Sequence, residues 1–284
     1  MMRPEVVAGT AAAVTVAAVV ARLIWRALYS EAETRGPVDV LRERCTVARL
    51  IGNTRLVELV SLSRATGCRI LAKVEWENPG GSIKDRVALY ILAHALSSGQ
   101  LPPGGTIYEG TAGSTGISLA MLARTLGLRA HICVPSDQAI EKTQLLERLG
   151  ATVERVPPVL FAHPDHFCNI ARRRASEDPN GYFADQFDND ANYFAHYDGT
   201  GAEIWEQTGG AVDAVVLAAG TGGSIAGITR ALRERNPNVR TFLVDPQGSG
   251  LFSRVKYGVL YSSTDAEGRR KRVRFASFFW PPPR

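Results

Sequence analysis

At 284 residues and 45% hydrophobic content, the chain is long enough for one large domain or two ordinary ones with real cores, which excludes a disordered chain. The net charge of +5 sits at one end: Arg269, Arg270, Lys271, Arg272, Arg274 and Arg284 stand in a stretch without acids, and removing these six from 33 basic residues leaves 27 against 28 acids. A near-neutral body argues against a basic groove for nucleic acid and makes the excess a solvated tail.

The four cysteines, Cys45, Cys68, Cys133 and Cys168, are scattered and form no CxxC or Cys/His spacing, so neither a zinc site nor a disulfide framework is expected. His94, His131, His163, His166 and His196 lack metal spacing too and read as structural or exposed. A reducing compartment is the default.

In chain order, Val6 to Ala21 is an uncharged run followed by Arg22 and Arg26 on one helical face. Sixteen residues at about 1.5 Å each give roughly 24 Å, short of a hydrocarbon core of roughly 30 Å unless Leu23 to Leu28 extend the span while both arginines snorkel. A single-pass anchor is expected, ahead of an organelle presequence or a secretory signal: the run is poorly amphipathic and its start is not strongly basic. After the polar stretch SEAETRGPVD, strand-like runs (RILAKVEW, GTIYEG, RAHICVP, TVERVP, AVDAVVLAAG, VRTFLVDP) alternate with helix-like runs (RVALYILAHALSSG, ISLAMLARTLG, EKTQLLERLG, SIAGITRALRERN). That alternation predicts an α/β fold with mainly parallel sheets covered by helices, and ligands beyond the carboxyl ends of strands.

Three strand-to-helix loops carry the chemistry. In NPGGSIKDR, Asn78 to Arg86, the Pro79-Gly80-Gly81 turn allows a tight reversal and Ser82 can cap the next helix, so Lys84 falls in its first turn. The positive end of the helix lowers the pKa of an ammonium there, as a Schiff-base lysine requires. After AVDAVVLAAG, the residues Gly220, Thr221, Gly222, Gly223 and Ser224 point backbone N–H groups at one spot that suits a phosphate. Ile225 stands where a dinucleotide fingerprint needs its third glycine, and no lysine follows as in a nucleotide-triphosphate loop. The segment TAGSTG, Thr111 to Gly116, lies at a third helix N-terminus that could receive a carboxylate.

Together these motifs closely resemble the cysteine synthase and cystathionine beta-synthase family, the fold type II pyridoxal-phosphate enzymes, and more narrowly a fungal membrane-anchored branch. Further stretches are similar in family order: PSDQAIEKTQLLERLGA from Pro135, QFDN from Gln186 and HYDGTGAEIW from His196. The resemblance implies that Lys84 holds pyridoxal 5'-phosphate as an imine and serves as the base at Cα, while Gly220, Thr221, Gly222, Gly223 and Ser224 hold the phosphate. It implies that Thr111, Ala112, Gly113, Ser114 and Thr115 receive the substrate carboxylate, faced by Gln186. Ser114 stands where the family commonly has an Asn bonded to the cofactor ring oxygen, and Ala112 replaces the usual Ser, which leaves substrate preference open.

The implied reaction is beta-replacement, O-acetylserine plus sulfide giving cysteine plus acetate, in a homodimer. Cystathionine synthesis, serine or threonine deamination, and a non-catalytic family member are the alternatives. The expected organisation is an anchor and linker over 1–35, a large cofactor-binding domain over 36–87 and 191–268, a smaller substrate-loop domain over 88–190, and a basic, proline-ended tail over 269–284. The resemblance runs from Asn53 to Gly268 and then breaks; the tail reads like translated non-coding sequence, and loss of the family's C-terminal part is expected to expose apolar surface and impair activity. The expected location is a membrane, the outer mitochondrial one, with a cytoplasmic alternative.

Overall fold

The computed structural model describes residues 36–245 and 249–259. The chain enters through α1 (Pro37–Arg44), where Pro37 occupies the first turn that tolerates a missing N–H, and α2 (Thr46–Arg49). Strand β1 (Leu56–Glu58), helix α3 (Val60–Thr66) and strand β2 (Leu71–Lys73) follow; β1 and β2 pair antiparallel, with Leu56 opposite Lys73. Here the expected strand RILAKVEW is cut short. The chain leaves the strand after Lys73 and makes a 3₁₀ turn over Glu75–Glu77, which aims the Glu75 carboxylate inward at Arg86.

Helix α4 (Lys84–Ser97) is the centre of the packing. Val87, Ala88, Leu89, Tyr90, Ile91, Leu92 and Ala93 leave no polar stripe, and a helix apolar all round must be surrounded. Strand β3 (Thr106–Gly110), buried along its whole length, leads into α5 (Ser114–Thr125), β4 (Arg129–Pro135), α6 (Ile140–Arg148), β5 (Thr152–Val156), α7 (Phe167–Glu177) and β6 (Gly181–Phe183). Their four strands form a parallel sheet in the order β5-β4-β3-β6. The chain steps outward from β3 to β5 and then crosses back to the other side of β3. That reversal opens a crevice beyond the carboxyl ends of β3 and β6, where ligands of such sheets bind.

The short α8 (Ala191–Phe194) runs into a π-helical stretch, Ala195–Gly201, and α9 (Ala202–Thr208). Strand β7 (Ala214–Ala218), α10 (Gly223–Arg235) and β8 (Arg240–Val244) make a second parallel pair, followed by α11 (Leu251–Tyr257). Val215 and Leu217 pack on Ile228 and Leu232 of α10, while Val216, Phe242 and Val244 on the other face of this sheet are exposed.

The α/β architecture with mainly parallel, helix-covered sheets is therefore as expected. The anchor over 1–35 and the tail over 269–284 lie outside the described residues. The expected location at the outer mitochondrial membrane is corrected: among the described residues no helix is long and apolar enough to cross a membrane.

Candidate active site

Lys84 is the first residue of α4, and its backbone N–H donates to Ser82 Oγ at 3.2 Å, so Ser82 relieves the helix terminus from one position further out than a regular N-cap. Burial pushes the Lys84 ammonium below its usual pKa, and among the described residues no charged partner offsets that effect. The residues on either side of the lysine lock its loop. Asp85 is fully buried and accepts from Gly80 N at 2.5 Å and from Ser118 Oγ of α5 at 2.5 Å, which ties the glycine turn to the helix after TAGSTG. Arg86 donates to Glu75 and Glu203, and so joins α4 to the 3₁₀ turn and to α9.

The Gly220–Ser224 loop begins α10. Gly222 is its N-cap with φ +88°, a left-handed conformation natural to glycine, and the first-turn N–H groups beyond it have no helical acceptors. A Cβ on Gly223 would come within 2.3 Å of Asn192 Oδ1, so only glycine fits against that side chain. Both hydroxyls of the loop are held from the α8 side: Asn192 Nδ2 donates to Thr221 Oγ1 at 2.8 Å, and Ser224 Oγ lies 3.2 Å from His196 Nε2. His196 Nδ1 in turn meets Thr200 Oγ1 at 2.9 Å. Burial, then the nearby charges of Lys84 and Arg86, push the His196 imidazole down to about 3, so it is neutral at physiological pH. Open N–H donors, hydroxyls and a half-buried lysine, with a cradle that a Cβ would fill, suit the phosphate and aldehyde of pyridoxal 5'-phosphate. A cavity of about 170 Å³ touches the same loop from the side of α11, lined among others by Asn192, Gly223 and Leu251 but not by Lys84.

The Thr111–Gly116 loop follows β3, in the crevice. Thr111 and Thr115 are buried, Ala112 and Ser114 half-buried, Gly113 exposed. Thr115 Oγ1 donates to Gln186 Oε1 at 2.6 Å, and Gln186, which a bare sequence reading leaves equally well at the surface, is only 4% exposed. Asn192 Nδ2 also donates to the Gln186 carbonyl at 2.7 Å.

Beneath them lies a carboxyl that the sequence did not single out. Glu109, the fourth residue of β3, accepts from Gln186 N at 3.2 Å and Nε2 at 3.4 Å, and complete burial raises its pKa to about 8. Because the folded state holds this proton more tightly than the unfolded chain, its contribution to stability is full below about 4.5 and is lost as pH rises to about 8. Glu109→Gln should flatten that decline; urea unfolding of both proteins across this range reads it, and parallel profiles would count against a neutral Glu109.

The fold also gathers His131, Cys133 and Glu154 on one face of β4 and β5, with ligand-type atoms within 4.8 Å of one another, a proximity that sequence spacing could not show. Arg174 occupies both Glu154 oxygens, at 3.0 and 3.2 Å, and burial pushes the Cys133 thiol up to about 12. The group is an ion-paired cluster with a protonated thiol, poorly disposed to a cation.

A lysine at one helix start, a glycine-rich loop with open first-turn N–H groups at a second and the Thr111–Gly116 loop at a sheet switch point are carried on one α/β scaffold. Residues 47–274 match the profile of the pyridoxal-phosphate dependent enzymes, and the chain belongs to this family, whose cofactor is pyridoxal 5'-phosphate. It is similar to cysteine synthase 2 of Neurospora crassa, with 58% identity covering 78% of this chain and 51% of that protein. Cysteine synthase 2 of Schizosaccharomyces pombe is 48% identical over 87% of this chain and 65% of that protein. The chain thus spans between half and two thirds of the length of these relatives. Among solved structures, that of O-ureido-L-serine synthase aligns with a TM-score of 0.69 and 33% identity over 73% of this chain and 65% of its own.

Proposed function

We propose that the chain carries the cofactor and substrate machinery of a cysteine synthase, replacing the leaving group of an activated serine such as O-acetylserine with sulfide. The observation that carries this reading is the Thr115–Gln186–Asn192–Thr221 hydrogen-bond chain, which joins a carboxylate loop to a phosphate loop as a substrate held beside a cofactor requires. The cofactor supplies the electron sink that makes a Cα proton acidic.

In this reading Lys84 holds the cofactor and moves the proton at Cα, and the burial that lowers its pKa favours the unprotonated amine that both tasks use. Gly220, Thr221, Gly222, Gly223 and Ser224 bind the phosphate. Thr111, Ala112, Gly113, Ser114 and Thr115 bind the substrate carboxylate together with Gln186, and the Ser114 hydroxyl reaches the cofactor ring oxygen less closely than a longer amide would. The division into a large domain over 36–87 and 191–268 and a smaller one over 88–190 rests on the family resemblance; β7, β8 and α10 pack around Ile228, Leu232 and Val239 as a separate cluster, while Val38, Leu41, Ala48 and Ile51 share the main core with residues of 88–190. A homodimer belongs to the reading on the family resemblance alone.

With pyridoxal 5'-phosphate present, O-acetylserine plus sulfide should give cysteine and acetate at a rate at least about tenfold above cystathionine formation from serine and homocysteine, or pyruvate formation from serine. Either of the latter running faster would replace the assignment with that reaction.

A further inference from the structure

Asn192 belongs to no motif by which the site was recognised, yet its side chain touches both halves of it. It is 4% exposed, and its one amide nitrogen donates to the Gln186 carbonyl at 2.7 Å and to Thr221 Oγ1 at 2.8 Å. The orientation of the amide is fixed by chemistry, because the reverse would press Oδ1 against the Gln186 carbonyl oxygen. Oδ1 is left buried with no hydrogen-bond partner among the described residues, beside Gly223. Leaving such an atom unpaired costs about 1–3 kcal/mol, so the two donor contacts, and not the comfort of the amide, set this position.

The consequence falls on Thr221. A hydroxyl has one proton to give; since Thr221 Oγ1 already accepts from Asn192, its O–H is free to donate elsewhere, and it stands in the loop whose N–H groups collect an anion. We propose that Asn192 is a positioning residue for the cofactor phosphate: it presets the Thr221 hydroxyl as a donor to that phosphate and fixes the loop relative to Gln186. The inference rests on the proposed assignment of Gly220–Ser224 to phosphate and deepens it by naming the side chain that organises the loop from behind.

The test compares pyridoxal 5'-phosphate with pyridoxal, which has the aldehyde but no phosphate, by titrating the visible absorbance that each acquires on the lysine. Asn192→Ala and Asn192→Leu, the second of nearly native size, should weaken pyridoxal 5'-phosphate about tenfold, about 1.4 kcal/mol, and leave pyridoxal within about twofold. Normal pyridoxal binding also reports that a variant is folded. Thr221→Ala should show the same tenfold loss and Thr221→Ser almost none, and adding Asn192→Ala to Thr221→Ala should cost less than about twofold more, because the two act as a unit. Equal weakening of both ligands, additive losses in the double variant, or native affinity in Thr221→Ala would overturn the proposal. If the unaltered protein gives no lysine-dependent absorbance with either ligand, the cofactor reading itself fails and the positioning role falls with it. A failure of Asn192 alone shows only in the variants.

Discussion

Lys84→Ala is expected to abolish the visible absorbance that pyridoxal 5'-phosphate acquires on binding the chain and to lower cysteine formation by at least about a thousandfold, since one amine serves as covalent anchor and as the group that moves the Cα proton. The physical ground is the setting of that amine. It lies on the first residue of α4, burial lowers its pKa, and among the described residues no charged partner compensates. Protonation is therefore penalised in the folded state: the cost is absent above the ordinary value of 10.5 and grows as pH falls toward the lowered one. Two results follow together. The cofactor-free Lys84→Ala protein should melt at a higher temperature than the unaltered protein at neutral pH, while losing the absorbance altogether. An absorbance band that survived the substitution would place the covalent anchor on another lysine, and Lys73 and Lys142, both engaged in hydrogen bonds, would be the first to examine.

The three loops were legible because each depends on local chemistry. Glycines, hydroxyls and a lysine at strand-to-helix turns narrow the chemistry sharply when all three turns occur in family order, and the structure sets each at a helix start. What was not legible is what holds the loops in place. Arg86 finds Glu203 across 117 positions, Gln186 finds Glu109 across 77, and Asn192 finds Thr221 across 29. Such pairs have no sequence periodicity and exist only once the sheet order brings them together. Strand β6 was missed because three residues, Gly181–Phe183, cannot display an alternation, and α7 because its buried face is made largely of small residues, Cys168, Ala171 and Ala175, among arginines. Missing β6 concealed the switch point, and with it the reason why Gln186 is buried and not at the surface.

Removing the Arg86 side chain should do the greatest harm to stability. Its guanidinium is 3% exposed and donates at 2.6 to 2.8 Å to carboxylates of Glu75 and Glu203, with Lys73 also 2.6 Å from Glu203. Burial works against the Glu203 carboxylate, but the hydrogen bonds and charge of Arg86, with help from Lys73 and the Asn53 N–H, outweigh it and hold the group at about 2. Arg86→Met keeps the volume, strips Glu75 of its guanidinium partner and leaves Glu203 to Lys73 and the Asn53 N–H, a change that costs about 3–5 kcal/mol. In a chain of this size that lowers Tm by roughly 2–4 °C per kcal/mol. The pH profile separates this from a packing defect. A depressed carboxyl contributes stability that is complete above its unfolded value of about 4.5 and is lost as pH falls through about 2, so the gap between the two proteins should narrow steadily over that window. A loss below about 1 kcal/mol, or a gap that stays constant with pH, would mean that the cluster behaves like an ordinary surface ion pair. Because the same guanidinium sits two residues beyond Lys84 and anchors the start of α4 to the 3₁₀ turn and α9, the variant should also load cofactor less tightly even where it remains folded, which absorbance titration well below its melting temperature would read.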